Sequence, residues 1–300
     1  MAQPPSISPR GIGILCLLLG AVLFSSKGVI IKLAYAYEVS SISLLGLRMI
    51  FSLPLFLLIG RLRRQPGRAP LARRDLLTIL ALGVVGYYLA SYTDFLGLRY
   101  ISAGMERVIL FTYPTMVLII QRLVFGTPIR PVQWFATGLC YLGIVIAFSG
   151  SDLRAGSDFL RGAGLIFLSA LLYGCYIIGS GRLAPRLGNV RFTSLALTTA
   201  AVSVILHVTV SDQPLLGLPA AVYAYAAGMA VFCTVVPSYL VTEGVKRLGA
   251  GDAAIIGAVG PVATIILEYY LLNEHINLLQ GIGAALIIVG VIVIGRSREK

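Results

Sequence analysis

The sequence predicts an all-α integral membrane protein of ten transmembrane helices, arranged as two inverted five-helix repeats. Three observations predict this fold: the composition, the spacing of apolar stretches, and residues that recur at one fixed offset. Of the 300 residues, 58% are hydrophobic and 12% are charged, and the mean hydropathy is +0.91. A soluble domain carries about 25% charged residues, so this chain has more apolar side chains than a soluble core can bury.

Ten apolar stretches, each long enough to cross a hydrocarbon layer roughly 30 Å thick, follow one another along the chain. We number them spans 1 to 10. Most joints between them are short, so consecutive spans are expected to be antiparallel neighbours. The first stretch is too long for the core of a signal peptide, and we expect it to be retained. The predicted spans are residues 12–34, 41–60, 75–97, 102–124, 131–149, 161–181, 191–210, 219–243, 252–272 and 277–295.

Lysine and arginine residues in the joints predict the orientation. The joint 61–74 contains six arginines, the joint 182–191 and the C-terminal tail are also basic, and a ten-span topology places all three on one side. The joints 35–40, 211–218 and 273–276 on the other side contain no lysine or arginine. Because cytoplasmic joints carry the excess of basic residues, we expect a multi-pass protein of the bacterial inner membrane with both termini in the cytoplasm.

Residues that match at an offset of 147 positions indicate an internal repeat. Each half has five spans, an odd number, so the second copy must cross the membrane in the opposite direction. The joint 61–74 then corresponds to the joint 211–218, which lacks basic residues, as inversion requires. The predicted halves are residues 11–150 and 161–296. The matching pairs are Ser91-Tyr92 and Ser238-Tyr239, Gly97 and Gly244, Ala103-Gly104 and Ala250-Gly251, Pro114 and Pro261, Gln133 and Gln280, and Gly143 and Gly290.

A second pattern closes each half. The segment from Pro261 through Glu274 to Gly290 has a proline within a span, a glutamate at the next turn and a glycine-spaced last helix, and Pro114 to Gly143 repeats it with a threonine in place of the glutamate. This pattern resembles the end of an EamA domain. Two EamA domains in ten helices describe the drug/metabolite transporter superfamily, and the resemblance covers almost the whole chain. It implies alternating-access transport, and within the superfamily the chain is more similar to bacterial exporters of metabolites and amino acids, including aromatic ones, than to sugar-phosphate or nucleotide-sugar carriers.

A candidate set of six ionisable side chains lies inside the spans, toward the side opposite the termini. A charge at the bilayer centre costs roughly 2.5–3.5 kcal/mol even on a lenient scale, so we expect them to pair. The set could be a static network of ion pairs, a gate or coupling site, or a contact for substrate, and proton coupling stays open. The six residues are Lys27, Arg48, Asp94, Glu106, Arg107 and Glu268.

Tyrosines deep in the spans are candidates for lining a substrate cavity, with packing in the core as the alternative. Tyr88 and Tyr92 share a helix face because they are four residues apart. The full candidate set is Tyr88, Tyr92, Tyr173, Tyr176, Ser238 and Tyr239. Prolines inside spans 4, 8 and 9 each remove a backbone hydrogen bond, and paired interruptions in corresponding halves point to a transporter's binding site. These predicted helix breaks are Pro114, Pro237 and Pro261.

Charge and motifs exclude several classes of function. The net charge is +12, but the basic residues lie mainly in joints, so we do not expect nucleic acid as a partner. We also expect no metal, cofactor or catalytic residue, because the sequence has no hydrolase or metalloprotease motif and no ligand cluster. The sequence thus predicts a lipid-embedded secondary transporter of a small-molecule substrate, not an enzyme. Alternatives are an exporter of hydrophobic cations or drugs, a membrane enzyme and a non-transporting receptor. Substrate, flux direction and oligomeric state are open, with a monomer as the working expectation.

Overall fold

The computed structural model describes residues 8–63, 71–149, 157–272 and 278–297, and in these ranges the chain forms helices joined by short turns. Nine of the described helices are long and apolar enough to cross a membrane, and span 5 is a shorter apolar helix. Its 18 residues still extend about 27 Å at 1.5 Å per residue. The protein is therefore an all-α, multi-pass membrane protein of ten spans.

Most spans begin and end within a few residues of the predicted positions. Spans 4 and 9 each consist of two helical pieces. In chain order the observed helices are Pro9–Tyr35, Ser41–Leu62, Arg73–Gly97, Ala103–Leu110 with Tyr113–Phe125, Pro131–Phe148, Ser157–Leu187, Asn189–Val210, Ala220–Leu248, Ala250–Gly257 with Gly260–Leu272, and Leu278–Arg296.

Span 6 differs most from its prediction, because the helix extends beyond residues 161–181 at both ends. The predicted limits follow the apolar residues, whereas a helix can continue into polar residues outside the hydrocarbon layer. Arg186 in the last turn pairs with Asp75 of span 3 at 2.5 Å. The helix ends at Gly188, whose φ of 88° suits glycine, and span 7 begins at the next residue.

Spans 3 and 8 share a backbone irregularity that the sequence pattern did not predict. Span 3 becomes π-helical over Val84–Leu89, and span 8 does so over Val231–Val235. The two segments begin 147 residues apart, which is the offset of the repeat. Span 8 does not break at Pro237: the helix continues through it, and the π-helix just before it takes up the irregularity. Span 3 has alanine at the equivalent position 90, so proline alone does not cause the irregularity.

Spans 4 and 9 are interrupted at equivalent positions. Residues 111–112 separate the pieces of span 4, and residues 258–259 separate those of span 9. Pro114 and Pro261 lie in the first turn of the second pieces, where a helix has no use for the missing N–H group. The backbone thus changes direction locally without losing further hydrogen bonds.

The helix pairings follow a two-fold pattern that relates the halves. Span 1 packs on span 8 and span 6 on span 3, while spans 2 and 7, 4 and 9, and 5 and 10 pack on each other. Exchanging each span for its repeat partner leaves this set of pairs unchanged. With five antiparallel spans in each half, the two halves are inverted copies that meet along the middle of the protein.

An even number of spans places the start of span 1 and the end of span 10 on one side, which we call the terminal face. Arg10 fixes this arrangement, because its guanidinium donates to the carbonyls of Ile294 and Ser297 at 3.2 and 2.6 Å. The opposite side is the distal face.

Candidate functional site

A small cavity lies at the centre of the protein, where the two halves meet. Its volume is about 90 Å³, below the roughly 300–1,000 Å³ of ordinary ligand pockets, so it holds a solute only if the surrounding helices separate. Spans of both halves form its walls. Its aromatic residues are Phe24, Tyr87, Phe111, Tyr113 and Tyr173, and its charged residues are Lys27, Arg48, Asp94 and Arg107.

Four charged side chains, Lys27, Asp94, Glu106 and Arg107, lie on the distal side of this cavity, and we call them the distal ionic layer. Lys27 Nζ donates to Asp94 Oδ2 at 2.6 Å and lies 4.0 Å from Glu106 Oε1. Glu106 Oε2 is 3.0 Å from Arg107 Nε. Both carboxylates are almost completely buried, at 1% and 0% exposure. The layer therefore ties spans 1, 3 and 4 together across the distal half of the protein.

Arg107 also uses hydrogen bonds to hold span 1. Its Nη2 donates to the carbonyl oxygens of Phe24 and Ser25, at 3.3 and 3.2 Å. Its Nε and the carboxylate of Glu106 are close but not aligned for a hydrogen bond. The attraction between these two groups is therefore mainly that of opposite charges in a dry environment, where such pairs depend strongly on keeping both partners.

Arg48 on span 2 is the fifth charged residue of the site. Its side chain is 1% exposed, lines the cavity, and places its guanidinium carbon 4.9 Å from the ring centre of Phe95. Among the side chains that the structure describes, none accepts a hydrogen bond from Arg48 Nε or Nη2. A buried cation without such acceptors is costly, so this residue needs a functional explanation.

Aromatic rings continue from the cavity toward the terminal face. Tyr176 stacks on Tyr173 at 6.2 Å and contacts Phe192 at 5.7 Å between ring centres. Phe56 lies 6.2 Å from Tyr239, whose hydroxyl shares a 2.7 Å hydrogen bond with Ser194. These rings, which we call the terminal aromatic layer (Phe56, Tyr176, Phe192 and Tyr239), separate the cavity from a larger opening.

That opening is a cleft of about 620 Å³ at the terminal face. The ends of spans 2 and 8, the start of span 7 and the residues around it form its walls. Its polar and charged lining residues are Arg63, Asn189, Arg191, Ser194, Thr198, Glu243 and Lys246. In this conformation the cleft opens at the terminal face, the terminal aromatic layer lies between the cleft and the cavity, and ion pairs lie on the distal side of the cavity.

The predicted tyrosines are divided between different places. Tyr173 lines the cavity, and Tyr176 and Tyr239 belong to the terminal aromatic layer. Tyr88 and Tyr92 do not line the cavity here: the hydroxyl of Tyr88 shares a 2.9 Å hydrogen bond with His207 Nδ1, and the ring of Tyr92 lies 4.7 Å from the same imidazole. Their role as cavity residues stays a prediction.

Tyr87 lines the cavity, a role that was predicted for its neighbour Tyr88. Its hydroxyl shares a 3.2 Å hydrogen bond with Ser238, one of the predicted residues. A signal for this face was present in the sequence, because Tyr87, Ser91 and Asp94 are spaced four and then three residues apart and so share a face. The intramembrane carboxylate Asp94 marked that face, and the i,i+4 pair of tyrosines lies on another one.

Tyr113 is the second cavity residue that the sequence analysis missed. Its hydroxyl donates to the carbonyl of Ala254 at 3.0 Å, which connects the second piece of span 4 to the first piece of span 9. The only sequence signal was its position directly before Pro114. Glu268 was also predicted to join the charged set, but its side chain lies outside the described residues.

Comparison with known proteins agrees with this architecture. The model of the EamA-like transporter family matches residues 11–149 and again residues 160–296. The chain belongs to the EamA-like transporter family. As a member of this family it is a membrane transporter of a small-molecule substrate that works in a lipid environment, and it is not an enzyme.

Curated relatives carry the same general description. The chain is 32% identical over 293 residues to the "Uncharacterized transporter YcbK" of Bacillus subtilis, covering 94% of this chain and 92% of the relative. It is 23% identical to the "Uncharacterized transporter sll1319" of a Synechocystis species, covering 92% and 90%. A solved crystal structure aligns with a TM-score of 0.73 over 96% of this chain and 98% of that chain at 18% identity, which supports the fold alone.

Proposed function

We propose that this EamA-family protein is a secondary transporter that exports amino acids, including neutral and aromatic ones, across the bacterial cytoplasmic membrane by alternating access. The observation that carries the proposal is the central cavity, which lies between two inverted halves and combines aromatic rings with charges of both signs. Inverted halves can rock about such a site and expose it to each side in turn. The whole pathway lies within one chain, so a monomer suffices.

The chemistry of the cavity suits an amphipathic zwitterion. Rings such as Tyr87, Tyr113 and Tyr173 offer apolar faces for a side chain and hydroxyls for a few hydrogen bonds. Asp94 Oδ1 is buried and accepts no hydrogen bond from a described residue, so it can receive an ammonium group. Cations on the same wall can receive a carboxylate. An amino acid presents all three of these features.

The proposed orientation puts the terminal face in the cytoplasm and the distal face outside the cell. Basic residues concentrated at the terminal ends of the described spans support it by the positive-inside rule. The cleft of the present conformation then faces the cytoplasm, where an exported solute is loaded. The basic residues at this face are Arg10, Arg61, Arg63, Arg73, Arg74, Arg122, Arg130, Arg182, Arg186, Arg191, Lys246, Arg247 and Arg296.

We assign the distal ionic layer, with Arg48 and Glu268, to the outer gate or the coupling site. Lys27, Asp94, Glu106 and Arg107 connect spans of the first half directly, so separation of these spans must break or exchange their ion pairs. The interruptions at Pro114 and Pro261 and the irregular segment before Pro237 provide flexible points close to the cavity. Tyr88, Tyr92 and Tyr239 are proposed to meet the substrate in other conformations of the cycle.

Export of hydrophobic cations is the second candidate function. The unpartnered oxygens of Asp94 and Glu106 favour it, because they could attract a cationic solute. Against it, three cations, Lys27, Arg48 and Arg107, line the cavity itself and would repel a cationic solute, so amino acids remain the leading proposal.

Counterflow into liposomes tests the proposal. Vesicles containing the purified protein are loaded with one unlabelled amino acid, and uptake of the same radiolabelled amino acid is followed, with empty vesicles as the control. We expect accumulation for at least one neutral or aromatic amino acid. Repeating the assay with a pH gradient shows whether protons are coupled. If no amino acid accumulates but a hydrophobic cation does, the second candidate function replaces the first.

A further inference from the structure

We infer that Arg48 is the residue that binds the carboxylate of the transported solute, so that a carboxylate is a required part of the substrate. This inference rests on the proposed function and specifies how its binding site recognises a ligand. Arg48 differs from the other cations of the site in what its donors contact. The unpartnered donors of Arg48 indicate which chemical group of a solute would bind there, namely a carboxylate.

The other two cations already have partners in the protein. Lys27 Nζ is 2.6 Å from Asp94 Oδ2, and Arg107 lies beside Glu106 and donates to two carbonyl oxygens of span 1. Arg48 is as deeply buried as they are, yet its Nε and Nη2 find no acceptor among the described side chains and backbone. Among the described residues of the site, Arg48 is therefore the cation with a pair of neighbouring donors, Nε and Nη2, available to an incoming anion.

The two unpartnered nitrogens form one edge of the guanidinium group. Nε–H and the adjacent Nη2–H point in parallel, and this edge matches the two oxygens of a carboxylate in a bidentate pair. The ring of Phe95 lies 4.9 Å away and restricts where the guanidinium can turn. The donors are thus held in a position that suits a planar carboxylate.

The balance of charge favours one carboxylate over a phosphate. A phosphate would bring about two negative charges to the single guanidinium of Arg48, whereas a carboxylate brings one.

The decisive variant is Arg48→Met, which keeps most of the side-chain volume and removes the charge. Because Arg48 Nε and Nη2 have no described hydrogen-bond acceptor, burial of the charge is poorly compensated, and we expect the apparent melting temperature of the ligand-free variant in detergent to equal or exceed that of the wild type. A variant that fails to fold, or that melts clearly lower, would show that Arg48 holds a structural contact and would overturn the inference.

Ligand binding is measured as the concentration that raises the melting temperature, with three probes: L-phenylalanine, 3-phenylpropionate, which lacks the ammonium group, and phenethylamine, which lacks the carboxylate. Arg48→Met should weaken both carboxylate-bearing probes at least about 30-fold, as loss of one partner of a buried charged pair does. The binding of phenethylamine should not weaken. Equal losses for all three probes, or none, would contradict the assignment.

Arg99→Met is the matched control. Arg99 donates to Ser41 Oγ and to the carbonyl of Val39, lies near the distal face and does not line the cavity. Its replacement is expected to lower stability but leave the preference among the three probes unchanged. Failure of amino-acid counterflow in the wild type would disprove the proposed function. The probe preferences of the two variants test the role of Arg48 separately.

Discussion

The two halves of the chain share their backbone irregularities but differ in their charges. π-Helices occur in spans 3 and 8 and interruptions in spans 4 and 9, each pair at the same repeat position. The residues of the distal ionic layer have no charged counterparts, because Asp94, Glu106 and Arg107 correspond to Val241, Ala253 and Ala254. The first half thus has charged side chains at three positions where the second half has small or apolar ones, and the buried carboxylate next to them in the second half, Asp252, pairs instead with Arg10 and Arg130 of the first half.

This difference suggests that the backbone and the side chains have separate functions: the shared backbone irregularities allow motion, and the unequal side chains form the gates. Equivalent irregularities allow the halves to move in equivalent ways, so that two alternative arrangements have similar backbone energies. Unequal side chains then make the two gates unlike: charges close the distal side, and the terminal aromatic layer is available to close the terminal side. Variants that alter one half, or one gate, test whether the other half or gate responds.

The largest effect is expected from Arg107→Ala, which copies the residue of the second half. It leaves the carboxylate of Glu106 fully buried, with Lys27 at 4.0 Å as its remaining described ion-pair partner, and such a loss costs about 3–5 kcal/mol. We expect a large fall in the melting temperature of the detergent-purified protein. The double change Glu106→Ala with Arg107→Ala removes both charges and should recover most of the loss, so equal instability of the two variants would contradict this account.

A smaller loss is expected where spans 5 and 10 touch. A Cβ atom at Gly143 would lie 2.6 Å from the carbonyl oxygen of Gly283, and one at the equivalent Gly290 would lie 2.9 Å from the carbonyl oxygen of Ala136. Gly143→Ala and Gly290→Ala should therefore cost about 1–3 kcal/mol each, by similar amounts if the halves pack symmetrically. Thermal unfolding measures both.

The control for these glycines is Gly138→Ala on span 5, where a Cβ meets nothing within 4 Å. Alanine is the better helix former by roughly 0.5–1 kcal/mol, so no loss of stability is expected. A loss at Gly138 as large as that at Gly143 would mean that close helix contact is not the cause.

Tyr113→Phe tests a single hydrogen bond between the halves. It removes the donor to Ala254 and should lower stability by about 0.5–1.5 kcal/mol. The comparison variant is Tyr141→Phe, whose hydroxyl donates to the carbonyl of Thr112 at 3.2 Å and shares a 2.5 Å hydrogen bond with Thr115, both within the first half. We expect similar small losses of stability but a slower counterflow rate only for Tyr113→Phe, and identical rates in both variants would count against a role in coupling the halves.

The smallest effect compares two neighbouring tyrosines. Tyr87→Phe removes a hydroxyl at the cavity and should raise the apparent KM of the transported amino acid by about 2- to 10-fold, since one hydrogen bond contributes about 0.5–1.5 kcal/mol. Tyr88→Phe removes a hydroxyl bonded to His207, away from the cavity in this conformation, and should raise the apparent KM less than Tyr87→Phe does. The reverse result would support the face that the i,i+4 spacing predicts.

Much of the architecture was predictable from the sequence, and much less of the site. The ten apolar spans and the repeat depend on hydropathy and on order along the chain, which are read directly. The limits of span 6 were missed because polar residues such as Arg186 can extend a helix beyond the membrane. Of the residues predicted to line the cavity, Tyr173 does so in this conformation, whereas Tyr88 and Tyr92 lie elsewhere and Tyr87, which was not predicted, lines it.

The sequence by itself determined the fold class, the inverted repeat and the depth of the buried charges, because a bilayer requires long apolar helices and penalises every charge inside them. Only the tertiary structure decided which charges meet. Lys27 and Asp94 are 67 residues apart, and their contact depends on how spans 1 and 3 are rotated and packed. The same packing leaves Arg48 Nε and Nη2 without a described hydrogen-bond acceptor at the cavity. Contacts between side chains on different helices depend on how the helices pack and not on the order of the residues along the chain.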